Sequence, residues 1–296
     1  MNGSTIHRVS SDTFELAEGG RWVDGEFVFV DIPSGRLLTA ADDDINELIR
    51  LDVPLGAVAP ITGHPGDWIA AAGTGIALIK RCGTVEWLAE PAGDRERIRM
   101  NDGAADPAGR FWAGSMAYAN IAGAGSLYRV TADGCVAQVL DGLTIPNGPA
   151  FTSDGETMYL AESATGQIDR FTVTSAGELT AREVFLSPGH GYGTPDGMTV
   201  DDEGNLWAAF WGGFAVRRLR PDGSLDVTIE LPARQPTSVC LGGATGQRLF
   251  ITTARHGIAG QAAADGGLFW TEVDIPGRAA AAYTPKPGHS ISAQDA

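Results

Sequence analysis

Ala108-Gly109-Arg110-Phe111-Trp112-Ala113-Gly114, continuing to Gly125-Ser126-Leu127-Tyr128-Arg129-Val130, is the stretch that decides the fold. It reads as a glycine turn, a short strand of aromatic and small residues, a second glycine turn and an outgoing strand. The same composite recurs in both directions along the chain. Asp24-Gly25-Glu26-Phe27-Val28-Phe29-Val30 leads to Gly35-Arg36-Leu37-Leu38, and His64-Pro65-Gly66-Asp67-Trp68-Ile69-Ala70 leads to Gly75-Ile76-Ala77-Leu78. Asp154-Gly155-Glu156-Thr157-Met158-Tyr159-Leu160 leads to Gly166-Gln167-Ile168-Asp169. Glu203-Gly204-Asn205-Leu206-Trp207 and Thr245-Gly246-Gln247-Arg248-Leu249-Phe250-Ile251 open the last two copies. Six copies at a period of about 40–48 residues match the length of a four-stranded propeller blade. A tandem β-sandwich array needs units nearer ~100 residues. The repeat predicts an all-β chain: one six-bladed β-propeller of four-stranded blades over residues 1–285, then a flexible polar tail over 286–296. One stretch departs from this pattern, Ala41 to Ile49, whose apolar spacing is helical.

The bulk composition agrees. The chain has 296 residues with 40 Gly and 16 Pro, spread out as many tight turns require rather than gathered in a linker. A net charge of -16 repels phosphate backbones and anionic lipid, so nucleic-acid and membrane-surface roles are set aside. No apolar run approaches a membrane span, and residues 1–12 carry no apolar signal core, which predicts a cytoplasmic protein. Cys82, Cys135 and Cys240 form no CxxC pair; they read as three partly buried free thiols rather than disulfides or zinc ligands.

Four polar residues occupy nearly one phase of the repeat: Glu18, Asn101, Asn147 and Asp196. Each lies about nine to eleven residues before a short apolar strand. In a propeller the first strand of each blade lines the central channel. Equal phase then means equal height and radius, so these side chains can meet on one axis. Oxygen donors from Asp, Glu and Asn are what hard divalent cations prefer. Asn-Gly and Asp-Gly are also the commonest turn dipeptides, and taken singly Asn147-Gly148 and Asp196-Gly197 read as turns. Their shared phase is what argues for function. The sixth copy offers Pro236-Thr237-Ser238 here, and the second only apolar residues near Val58-Ala59-Pro60.

At these segments the sequence resembles the regucalcin (senescence marker protein) and gluconolactonase family. The matching stretches are Glu18 to Trp22, Arg99-Met100-Asn101-Asp102-Gly103, Asp106 to Met116, Pro146-Asn147-Gly148 and Pro195 to Asp201. The likeness covers nearly the whole chain and is strongest from Arg99 to Gly223. It implies a six-bladed propeller holding one divalent cation (Ca, Zn, Mn, Mg or Fe(II)) on Glu18, Asn147 and Asp196. It implies Arg99 and Asn101 as substrate contacts and Asp196 as catalytic acid/base. The implied activity is hydrolysis of small-molecule sugar (aldono-)lactones, a carboxylic ester hydrolase reaction, by a monomer or small homo-oligomer. Some members carry a substrate-binding glutamate after the Gly-Ser/Thr-Met stretch. Here that region reads Ala117-Tyr118-Ala119-Asn120, so Tyr118 or Asn120 takes its place.

Two other classes compete: a related metal-dependent esterase or organophosphate hydrolase, and a non-catalytic calcium-binding propeller. Trp22, Phe210 and Trp211 are candidate pocket walls, with blade packing as the alternative. Of the five histidines, which share no metal spacing, His190 is a candidate pocket wall in the loop leading to Asp196, with a solvated loop histidine as the stronger reading. No Gly-x-Ser-x-Gly elbow supports a serine hydrolase.

Overall fold

Phe111 to Ala117 is buried at every position, and Gly75 to Ile79 likewise. Strands covered on both faces read as unbroken apolar runs, and in this chain the cover comes from neighbouring blades. The computed structural model describes residues 5–41, 44–94, 97–189 and 191–287. A short strand, β1 (His7–Arg8), comes first. The first blade is β2 (Ala17–Val23), β3 (Glu26–Asp31), β4 (Arg36–Ala41) and β5 (Asp44–Arg50). The second is β6 (Leu55–Ile61), β7 (His64–Ala72), β8 (Gly75–Ile79) and β9 (Val85–Ala89). The third is β10 (Ile98–Ala105), β11 (Phe111–Ala117), β12 (Gly125–Val130) and β13 (Val136–Leu143). The fourth is β14 (Pro146–Phe151), β15 (Thr157–Glu162), β16 (Gln167–Val173) and β17 (Leu179–Leu186). The fifth is β18 (Thr194–Val200), β19 (Leu206–Trp211), β20 (Ala215–Leu219) and β21 (Leu225–Glu230). The sixth joins β22 (Gln235–Gly242), β23 (Arg248–Ala254) and β24 (Phe269–Glu272) to β1. This is the all-β, six-bladed propeller of four-stranded blades that the repeat predicts.

Six hydrophobic clusters hold the ring, one at each interface between successive blades. The ring closes through β1, which pairs with β24 so that both ends of the repeat share one sheet. His7 stacks on Trp270 across that pair, with ring centroids 4.2 Å apart. The long third-blade motif has a structural use. Asp106 accepts from Arg110 Nε at 2.6 Å and Trp112 Nε1 at 2.8 Å, and Asp201 repeats the device in the fifth blade with Trp207 and Arg218.

After β24 the chain straps across one mouth of the channel. Asp202 N donates to Pro276 O, Ala280 N to Trp22 O, Tyr283 N to Pro60 O and Thr284 N to Gly109 O. Of the tail expected from 286 onward, the Lys286 amide donates to Ala132 O, and residues 288–296 lie outside the described residues.

Of the expected helix at Ala41–Ile49, Ala41 instead ends β4, residues 44–49 form most of β5, and residues 42 and 43 lie outside the described residues. Leu37 pairs with Ile49 but Leu38 pairs with Glu47, so Leu48 is an extra residue in a bulge and points outward. That insertion breaks the period-2 alternation and leaves Ile45, Leu48 and Ile49 at helical spacing. The cysteines also divide differently than expected: all three are free, but Cys82 and Cys135 are exposed and only Cys240 is buried. Burial pushes the Cys240 thiol up to about 12. Among the described residues no helix is long and apolar enough to cross a membrane.

Candidate functional site

Each inner strand loses register with its neighbour at the same height. In β2, β10, β14 and β18 the break falls between Glu18 and Arg21, Met100 and Gly103, Asn147 and Ala150, and Pro195 and Met198. In β6 and β22 it falls between Leu55 and Ala57, and Pro236 and Ser238. A bulge sets an extra residue on one strand and re-aims the side chain beside it. The predicted polar residues sit at these bulges, within strands rather than in the turns their dipeptides suggest. The sixth blade supplies Thr237 and the second supplies Gly56. A Cβ on Gly56 would stand 2.2 Å from the Asn101 carbonyl oxygen, so the second blade contributes no side chain.

One cavity of about 690 Å³ opens over these bulges. Its lining includes Glu18, Arg99, Asn101, Tyr118, Asn147 and Asp196, the candidate ligands and substrate contacts named from the sequence. Asn120 lines it too, on a left-handed φ of 51°. Of the expected aromatic walls, Trp211 lines the cavity. Phe210 is buried in the packing between the fourth and fifth blades, and Trp22 lies at the opposite mouth. His190 lies outside the described residues; His256, hydrogen-bonded to Glu15, lines the cavity.

The floor is a connected set of oxygens. Glu18, Asn101, Asn147 and Asp196 are all buried. Asn101 Nδ2 donates to Asn147 Oδ1 at 2.8 Å and to Pro146 O at 2.9 Å. Asn147 Nδ2 donates to Ser163 Oγ at 2.8 Å, and Ser163 donates onward to Pro195 O at 2.6 Å. Arg99 donates to Asn101 Oδ1 at 2.6 Å and to Met100 O at 2.9 Å. These bonds fix both amides with an oxygen still free to take another partner. Sequence reasoning missed Ser163, which follows β15 with no motif around it. It also missed a role for Asp102, although Asp102 lies inside the quoted Arg99–Gly103 stretch.

Electrostatics sets this floor apart. Burial above all, then the charges of Asp196 and Asp102, pushes the Glu18 carboxyl well above the usual range. Burial and Asp102 do the same to Asp196, opposed by hydrogen bonds from Glu18 and the Gly197 amide and by Arg99. Two buried carboxylates in contact cannot both ionise without a compensating positive charge. Among the described residues no three His, Cys, Asp or Glu side chains come together as metal ligands. The donor set is two carboxylates and amide oxygens, with no thiolate or imidazole, which fits a hard divalent cation rather than a soft one.

The SMP-30/Gluconolactonase/LRE-like region profile matches residues 16–255. The chain belongs to this family. Among its relatives is the pentonolactonase XacC of Haloferax volcanii, 35% identical over 298 residues that cover 93% of this chain and 96% of the relative. The 6-deoxy-6-sulfogluconolactonase of Pseudomonas putida is 35% identical over 258 residues, covering 84% of this chain and 87% of that one. The solved structure of the calcium-binding protein regucalcin from Agrobacterium tumefaciens superposes with a TM-score of 0.88 at 28% identity, covering 95% and 98% of the two chains.

Proposed function

We propose that this protein is a divalent-cation-dependent lactonase that opens sugar lactones at the channel mouth. The observation that carries the reading is the contact of Glu18 with Asp196 beside Asn101 and Asn147, all buried under a cavity large enough for a sugar ring. The named lactonases among its relatives supply the substrate class. Glu18, Asn147 and Asp196 would hold the cation, which when bound supplies Lewis-acid polarisation of the lactone carbonyl.

The chain's own groups do the rest. Asp196 takes a proton as water adds to the carbonyl carbon, then returns it to the ring oxygen as the C–O bond breaks, leaving an open hydroxy acid. The buried floor keeps Asp196 in one orientation through the Gly197 amide. Arg99 spends one donor nitrogen on Asn101 and the Met100 carbonyl, leaving the rest of its planar fork for substrate oxygens. Tyr118 and Asn120 stand at the rim where substrate hydroxyls would extend.

Chelator-stripped protein should hydrolyse no lactone and recover on addition of one of Ca²⁺, Zn²⁺, Mn²⁺, Mg²⁺ or Fe²⁺. A panel of pentono- and hexonolactones, an aryl ester and a phosphotriester fixes the class; turnover of the last two alone would replace the lactonase reading. Asp196→Asn should lose on the order of 10³-fold in kcat with an unchanged far-UV circular dichroism spectrum.

A further inference from the structure

Asp102 is buried at 3% exposure in the β10 bulge, next to Asn101, yet it does not line the cavity and no step of the reaction uses it. Both of its carboxylate oxygens accept from backbone amides. Oδ1 accepts from Gly103 N at 2.7 Å, and Oδ2 accepts from Gly148 N at 2.9 Å across the blade boundary. Gly148 directly follows Asn147, so one carboxylate joins the bulge that carries Asn101 to the bulge that carries Asn147. Arg21 lies 3.7 Å from Asp102 Oδ1. Its guanidinium donates to Gly103 O at 2.6 Å and to Gly20 O at 2.8 Å, which brings in the β2 bulge two residues beyond Glu18. Gly20 N in turn donates to Ser238 Oγ at 2.9 Å on β22.

Every one of these bonds runs between different blades or ties a bulge to itself. The hydrophobic clusters between blades are nondirectional and do not by themselves fix a bulge to a fraction of an ångström. Charge-assisted bonds to backbone amides and carbonyls do. We propose that Asp102 and Arg21 form an inter-blade clamp beneath the site, positioning residues that hold the Glu18, Asn101 and Asn147 bulges at the spacing a bound cation needs.

The proposal rests on the cation site described above, and calorimetric titration of stripped wild-type protein with CaCl₂ or MnCl₂ alone tests that site first. If neither binds, ZnCl₂, MgCl₂ and FeCl₂ are titrated in the same way, and a wild type that binds none of the five would sink the cation reading itself, before any variant is compared. Given binding, Asp102→Asn keeps the volume but turns one acceptor into a donor facing an amide N–H. Arg21→Lys keeps the charge but cannot reach both carbonyls and the carboxylate. Each should weaken cation affinity by about 10- to 100-fold, the usual cost of losing a group that orients metal ligands. At saturating cation, kcat for a hydrolysed lactone should fall more than KM rises. Wild-type cation affinity in both variants, whatever the change in melting temperature, would overturn the clamp and leave a purely structural ion pair. If Asp102→Asn fails to fold, Arg21→Lys decides alone.

Discussion

A carboxyl whose pKa is raised by folding works against the folded state once the solution favours ionisation. Glu18 and Asp196 are both such groups in the absence of a cation. Unfolded, they titrate near about 4. Between that value and their raised native values the folded chain binds more protons than the unfolded one, so stability falls as pH rises through the window. Glu18→Gln removes one charge of the pair. In chelator-treated protein it should therefore raise stability by about 1–3 kcal/mol near pH 8, the usual size of an uncompensated burial penalty, and by nothing near pH 4. Urea unfolding at the two pH values checks this, and a gain independent of pH would contradict it. With the cation that restores activity at saturation the sign should reverse, because on the proposed reading the variant forfeits a ligand that stabilises the folded state by mass action. Residue type and phase made Glu18 and Asp196 legible in the sequence. Asp102 and Ser163 were not, because nothing local records that their partners, Gly148 and Asn147, belong to other strands.

The strand carries the next lesson. Repeat phase brought Glu18, Asn101, Asn147 and Asp196 to one place because all six inner strands break register at one height. The same kind of irregularity misled the reading of β5, where the bulge at Leu48 turned a strand pattern into helical spacing. A bulge adds one residue, and one residue is enough to shift a period of two toward three and a half. Bulges were therefore visible only where a polar side chain marked them. The silent one in the second blade, Gly56, makes a prediction at this scale. A methyl group there meets the Asn101 carbonyl, which is backbone and cannot swing aside. Gly56→Ala should cost about 1–3 kcal/mol, the range for overpacking a close contact. It should also weaken cation binding, since β10 moves with Asn101 on it. A stability loss with unchanged calorimetric affinity would show that the inner strand yields elsewhere.

The whole ring is a closed set of six interfaces, and closure is what lets four residues far apart in sequence share an axis. The repeat count announced the ring. The means of closing it, β1 pairing with β24, was not legible, since a two-residue strand has no pattern to read. Nor was the strap over 276–286, whose bonds to five blades run mainly through backbone. The strap gives the molecule two unlike mouths. Gly20 to Trp22, Met198 to Asp202 and Ala279 to Ala281 enclose about 210 Å³ at the strapped end, whereas Glu18 and Asp196 open into the larger cavity at the other. Tyr283 anchors the strap at 1% exposure, packed with Ile61, Phe111 and Tyr128 and donating its hydroxyl to Thr131 O at 2.9 Å. Tyr283→Ala should cost about 3–5 kcal/mol, as for other large aromatic truncations in a core. Because none of the residues that the strap bonds to, among those described, lines the larger cavity, kcat/KM and cation affinity measured well below the melting temperature should stay within about threefold of wild type, a difference of under 1 kcal/mol. Loss of cation affinity at that temperature would mean instead that the strap holds the inner strands in register, and that the two mouths answer to one another through the channel wall.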